Sequence, residues 1–354
     1  MTRVRSRGEA VRQFVLENLV GHPRDICKLG MKHFGISRQA MNRHIRNMVA
    51  EKSIIREGGA TRCLYKLVPQ SEWRRTYVLE PKLSESDIWT RDIRSRLGVL
   101  PENAAGIWQW GFTEMMNNAI DHSEGAEVLV VIQRTAATVK IALHDNGVGI
   151  FKKIKAHLGL IDERHAVLEL AKGKFTTDPE NHSGIGIFFT SRMFDEFEIM
   201  SGDVFFSHED KRESDYILED MNLSGGTSVF MTLNNHTART TRKVFLKYQD
   251  KDLEFTKTVV PVRLAKYGDD NLVSRSQARR LLARVEKFKT VVLDFAGVDS
   301  IGQAFADEVF RVFPSQHKNV DLMEMHTNSD VKRMIAFARS GSGPDQLDLP
   351  LKSG

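Results

Sequence analysis

Three short segments in a fixed order constrain this chain most: Glu114-Met-Met-Asn117-Asn118-Ala-Ile-Asp121-His122, then Asp145-Asn-Gly147-Val-Gly149-Ile, then Gly184-Ile185-Gly186-Ile-Phe. All three fall within about eighty residues. Glu114 and Asn118 stand four apart, so on a helix they share one face. A Glu held there can orient and deprotonate a water or hydroxyl, a role worth roughly 10²–10⁴ in rate. Asn118 offers a neutral oxygen to Mg²⁺, which keeps waters and phosphate oxygens as its other ligands. Asn117 and Asp121 are placed for supporting roles.

Asp145 ends an apolar run, Val139–His144, that reads as a strand. Its carboxylate is expected to be partly buried and in need of a donor. An adenine amino group supplies one, whereas guanine presents an oxygen at that place. A buried acceptor left unpaired costs roughly 1–3 kcal/mol, enough to select ATP. Gly147 and Gly149 let the main chain turn beside a base. Gly184 and Gly186 precede an apolar helix expected over Ile187–Phe197, whose first N–H groups suit phosphate oxygens.

Residues 151–183 show little periodicity and are expected to form a lid. They carry Lys172, Lys174, Thr176, Thr177 and His182, with Lys174 the expected γ-phosphate contact. Gly225-Gly226-Thr227 leads into a strand over Ser228–Leu233, and Thr227 is a further expected site residue, bonding Asp145 or a water at the base.

Charge divides the chain. Residues 1–75 hold 16 Lys and Arg against 6 Asp and Glu, although the whole protein carries only +5. A basic N-terminal module on a mildly acidic body points to nucleic-acid contact through residues 1–70. Three helices are expected there, over 8–20, 24–33 and 38–51, the last capped by Ser37 and buried through Met41, Ile45, Met48 and Val49. Arg38, Gln39, Asn42, Arg43 and Arg46 project the other way. Ile54–Glu57 and Arg62–Leu67 read as a hairpin, with Arg56 and Arg62 available to phosphates. Residues 71–84 read as a linker or a strand leading into the next domain. No apolar run reaches the roughly 18–20 residues that span a bilayer. Two cysteines among 354 residues do not make a disulfide framework, and the basic start has no apolar signal core. A cytoplasmic protein is expected.

After a second connector at 236–250, strands expected at 254–262, 290–295 and 320–325 alternate with helices at 274–288, 302–313 and 329–338. That alternation indicates a small α/β domain, followed by a Gly/Ser/Pro-rich tail at 341–354.

The three ordered segments, with Gly226-Thr227, resemble the N, G1, G2 and final Gly-Thr boxes of the GHKL superfamily: gyrase ATPase subunits, MutL, heat-shock chaperones, histidine kinases and anti-sigma serine kinases. The resemblance covers about residues 85–235. It implies a Bergerat-type α/β sandwich binding ATP and Mg²⁺. It also implies Glu114 as catalytic base, Asn118 as metal ligand, Asp145 as adenine reader, and Gly147, Gly149, Gly184 and Gly186 around the nucleotide and its lid. No histidine-bearing dimerisation helix precedes this region, since His22, His33 and His44 all lie in the N-terminal module.

Residues 1–70 resemble a winged helix-turn-helix. Residues 251–340, through Asp294-Phe-Ala-Gly-Val-Asp299-Ser300-Ile-Gly302, resemble the STAS-like domains of unknown function. Ser300 stands one place before the position that STAS partners phosphorylate, and reads better as a helix cap.

The expected fold class is therefore multidomain α/β. The expected function is an ATP-binding, slowly hydrolysing regulator that couples nucleotide state to DNA binding in transcriptional control. An anti-sigma-type serine/threonine kinase and an ATP-gated dimerising clamp are the alternatives. The expected partners are DNA at the N-terminus, a protein at the STAS-like domain and a second copy of the chain, with no membrane.

Overall fold

The computed structural model describes residues 3–340 except 60–62, 81, 176–183, 210–215, 219–224, 253 and 267–270. Arg62, expected to be available to phosphates, Thr176, Thr177 and His182 of the expected lid, and the tail at 341–354 lie outside the described residues. The chain divides into two compact units. The first comprises residues 1–147, 194–196 and 228–240, and the second 148–193, 197–227 and 241–354. The division runs through the region expected as the ATP-binding domain.

The first unit opens with helices α1 (Arg3–Asn18), α2 (Ile26–Phe34) and α3 (Arg38–Ala50), then an antiparallel hairpin of β1 (Ile54–Glu57) and β2 (Leu64–Leu67). Val11, Val15, Leu19, Ile26, Met41, Ile45, Met48 and Ile54 form its core, joined by Ala137. Each such side chain contributes roughly 1.5–3 kcal/mol. Ser37 caps α3, its Oγ accepting the Ala40 N–H at 3.2 Å. The hairpin is tied back by the Tyr65 N–H, which donates to Pro23 O at 2.9 Å.

Residues 71–84 are mostly not a linker. Ser71–Val78 is a strand, β3, whose eight residues pair antiparallel with β4 (Glu127–Arg134). Ser84 then caps a helical stretch, α4 (Glu85–Ile88), continued by a π turn and a 3-10 turn through Leu97. Helix α5 (Glu102–His122) buries Ala104, Ile107, Trp108, Gly111, Phe112, Met115, Met116 and Ala119. These positions follow the 3.6-residue period of a helix packed on one side. Strand β5 (Thr138–Asp145) pairs antiparallel with β4, Val128 opposite Asp145.

In the second unit the described residues of the expected lid contain two helices, α6 (Ile150–Leu158) and α7 (Glu163–Lys172). Gly159 ends α6 in the left-handed conformation and Asp162 caps α7, stop and start signals packed into a turn too short to stand out from the sequence. The helix expected through Phe197 is shorter, α8 (Gly186–Met193), because residues 196–201 alternate buried and half-buried as strand β6 (Glu196–Ser201). Strands β7 (Val204–Glu209) and β8 (Tyr216–Leu218) follow as an antiparallel pair. Strand β9 (Thr227–Asn234) returns to the first unit, where it lies beside β5.

The connector expected at 236–250 contains a helix, α9 (Thr241–Tyr248). The C-terminal part is a three-stranded parallel sheet in the order β10 (Lys257–Pro261), β11 (Thr290–Asp294), β12 (Asp321–Met325). Its helices are α10 (Arg275–Leu282), α11 (Gln303–Asp307), α12 (Phe313–Gln316) and α13 (Ser329–Ser340). Ser274 and Gln277 form a reciprocal capping box at α10. Ser300 does not cap α11; Gly302 occupies that position, and Ser300 is exposed.

Candidate nucleotide site

Strand parity places Asp145. Val139, Ile141 and Leu143 point into the core of β5, and Asp145 is the next residue of that face, 7% exposed. Its Oδ1 accepts the Gly147 N–H at 2.9 Å. Asn146 Oδ1 accepts the Ala126 and Glu127 N–H groups at 2.8 and 3.1 Å. Ser123, just past α5, donates its hydroxyl to Ala119 O at 2.6 Å and accepts the Gly125 N–H at 3.0 Å. A Cβ on Gly147 would lie 2.0 Å from Ser123 O. The end of α5 and the turn after β5 are thus held in backbone contact, which only glycine permits. Sequence reasoning missed Asn146 and Ser123, reading Asp-Asn-Gly as a turn without asking what its amide holds.

On α5, Glu114, Asn117 and Asn118 are half-buried and Asp121 is exposed. They recur at three- and four-residue spacing, a polar stripe beside the buried one. Asn118 Nδ2 lies 4.0 Å from Met115 Sδ. Among the described residues no group of three His, Cys, Asp or Glu side chains is arranged to hold a metal. An amide with a carboxylate one turn away fits an ion held mainly by phosphate and water oxygens. Asn118 would hold such an ion, which supplies positive charge against phosphate oxygens.

In the second unit, Gly149 is the N-cap of α6 and the Ile150 N–H donates to Thr227 Oγ1 at 3.0 Å. Thr227 therefore satisfies one of the orphan donors of that helix start. Ser201 Oγ donates to Gly226 O at 2.9 Å, fixing the chain just before Thr227. The α8 start is formed by Gly184-Ile185-Gly186, with Ile185 O accepting the Phe189 N–H at 3.0 Å. The Phe175 N–H donates to Gly184 O at 3.2 Å. Gly184 has φ +69°, and a Cβ there would lie 2.5 Å from the Phe175 carbonyl.

Lys174, expected at a γ-phosphate, is engaged elsewhere. Its Nζ donates to Lys287 O at 3.0 Å and lies 4.9 Å from the Phe288 ring centroid. Burial, the largest influence, lowers its pKa from the ordinary lysine value. No local pattern marks this contact, because the acceptor lies 113 residues away.

On the N-terminal module, Arg38, Gln39, Asn42 and Arg46 of α3 line one groove with Arg24 and Lys28, and with Arg56 of β1. Arg38, Gln39 and Arg46 are exposed; Asn42 is half-buried, its Oδ1 accepting from Cys27 Sγ at 3.2 Å. Arg43 is exposed but does not line this groove.

Residues 88–204 match the histidine kinase-like ATPase domain, and residues 277–332 the STAS-like domain of unknown function. Both matches fall inside the ranges in which the motifs suggested those resemblances. No curated protein matches the chain. The sheet-rich middle is thus similar to GHKL ATPases, which supports ATP binding and a kinase-like regulatory role, and the small C-terminal α/β part is STAS-like. No helix among the described residues is long and apolar enough to cross a membrane.

Proposed function

We propose that this protein is an ATP-binding, slowly hydrolysing regulator whose nucleotide state governs DNA binding by a winged helix at its N-terminus. The observation that carries the nucleotide reading is Asp145: a carboxylate buried by strand parity, at a glycine turn packed on the helix that bears Glu114 and Asn118. In this reading Asp145 accepts from the adenine amino group, Asn118 holds Mg²⁺, and Glu114 takes the proton of the attacking water. Gly184-Ile185-Gly186 presents main-chain N–H groups to phosphate. The α3 groove, with five cationic side chains and one carboxylate among its lining residues, supports the DNA reading: guanidinium and amide groups suit base edges and phosphates.

The test is titration calorimetry with Mg-ATP, Mg-ADP and Mg-GTP, followed by DNA binding in the apo, ADP and ATP states across a salt series. The reading expects ATP to bind in preference to GTP. It also expects salt-sensitive DNA affinity that differs between nucleotide states and weakens on Arg38→Ala and Arg46→Ala. Equal DNA affinity in all three states removes the switch.

The kinase-like match favours one second reading, phosphotransfer by the same Glu114 to a protein hydroxyl. Label from γ-phosphate recovered on protein supports it, and label found only as free phosphate excludes it.

A further inference from the structure

Residues 172–175 are held by the STAS-like part of the chain. Lys172, at the end of α7, is almost fully buried. Its Nζ donates to Glu169 Oε1 at 2.7 Å, to Arg280 O at 3.0 Å and to Ala283 O at 2.8 Å. The ammonium thereby caps the C-terminal end of α10, where Arg280 O also accepts the Ala283 N–H at 3.3 Å. Thr258 Oγ1, from β10, donates to Lys172 O at 2.6 Å.

Arg284, just beyond α10, reaches back the other way. It donates through Nη1 to Glu169 Oε2 at 3.2 Å and through Nη2 to Lys174 O at 2.9 Å. Its guanidinium lies 5.0 Å from the Phe175 ring centroid, and the Phe175 N–H is the group bonded to Gly184 O. Arg284 and Lys174 both have left-handed backbones, φ +63° and +53°. Non-glycine residues hold that conformation where surrounding contacts over-determine it.

We propose that Arg284 is a positioning residue for the phosphate end of the nucleotide: it fixes the path of residues 174–175 and so the placement of Gly184. This rests on the nucleotide-binding reading above. It makes the STAS-like part a structural component of the phosphate half of the site.

The test uses the full chain, comparing Mg-ATP with adenosine by calorimetry or ligand competition, and the unfolding midpoint without ligand. Arg284→Met keeps the aliphatic stem and removes both donors. Mg-ATP affinity is expected to fall about tenfold or more, the scale of a lost charge-assisted hydrogen bond, with adenosine affinity unchanged. Should Arg284→Met fail to fold, Arg284→Lys keeps the charge beside Glu169 and drops one donor, and the same selective loss is expected at smaller size. Unchanged Mg-ATP affinity overturns the proposal, as does an equal loss for adenosine, which marks a general fold defect. A wild-type chain that binds neither ligand overturns the nucleotide reading itself.

Discussion

The Asp145–Gly147 turn of the first unit is held by Asn146, which reaches 20 residues back to Ala126, and by Ser123 at the end of the adjoining helix. The Lys172–Phe175 stretch of the second unit is held by Arg284 and the carbonyl of Ala283, 110 and 111 residues further on. The first arrangement forms as soon as α5, β4 and β5 meet. The second exists only once the STAS-like part has folded, because closing so long a loop must come first. A turn held by its neighbours is a fixed feature. A stretch held by a remote part of the chain can be regulated through that part.

Substitutions can break this contrast. The largest expected effect is chemical: Glu114→Ala should leave Mg-ATP affinity nearly intact and lower phosphate release by roughly 10²–10⁴-fold, measured with a continuous phosphate assay. Gly147→Ala comes next. The added Cβ meets the Ser123 main chain, which cannot yield as a side-chain tip does. Overpacking of this kind costs about 1–3 kcal/mol or more, and both the unfolding midpoint and adenosine binding should fall. If adenosine binding survives, the turn is less rigid than its contacts indicate.

Asp145→Ala removes the buried acceptor and should weaken ATP by about 1–3 kcal/mol while narrowing its advantage over GTP, read by calorimetry. The smallest effect is at the α7 cap. The Arg164 side chain bonded to Asp162 is the main reason its pKa falls from 3.8 to about 2. A carboxylate depressed in the folded state stabilises above its unfolded pKa and loses that contribution as pH falls through the folded value. Asp162→Ala should therefore cost about 1 kcal/mol near neutrality. That difference should shrink between pH 4 and pH 2, followed by denaturant unfolding. A constant difference across that range sinks the assignment.

Much of the first unit was legible in the linear order of residues. The period-2 run Val139, Ile141, Leu143 carries Asp145 into the core, and the 3.6-residue spacing on α5 sets Glu114 and Asn118 on one side. Ser37 caps the helix it precedes. The second unit was read less well. Residues 151–183 looked aperiodic because α6 and α7 are short and α7 is buried nearly all round, Ala166 through Lys172, leaving no polar face to mark a period. β6 continues the preceding apolar run without a break in composition, and α9 lies in a stretch whose Thr, Arg and Lys residues read as a connector.

What the sequence determined alone was set locally: most strands and helices of the first unit, the Ser37 cap, the glycine turn and the parity of Asp145. Only the tertiary structure decided which cations are available. Lys172 and Lys174 have the composition of phosphate ligands, yet their ammonium groups are held by carbonyls of residues 280–287. A lysine's stem and three donors fit a phosphate and a helix C-terminus equally well. The choice between them depends on which acceptor the folded chain brings within reach, and for these two residues that acceptor lies more than a hundred positions away.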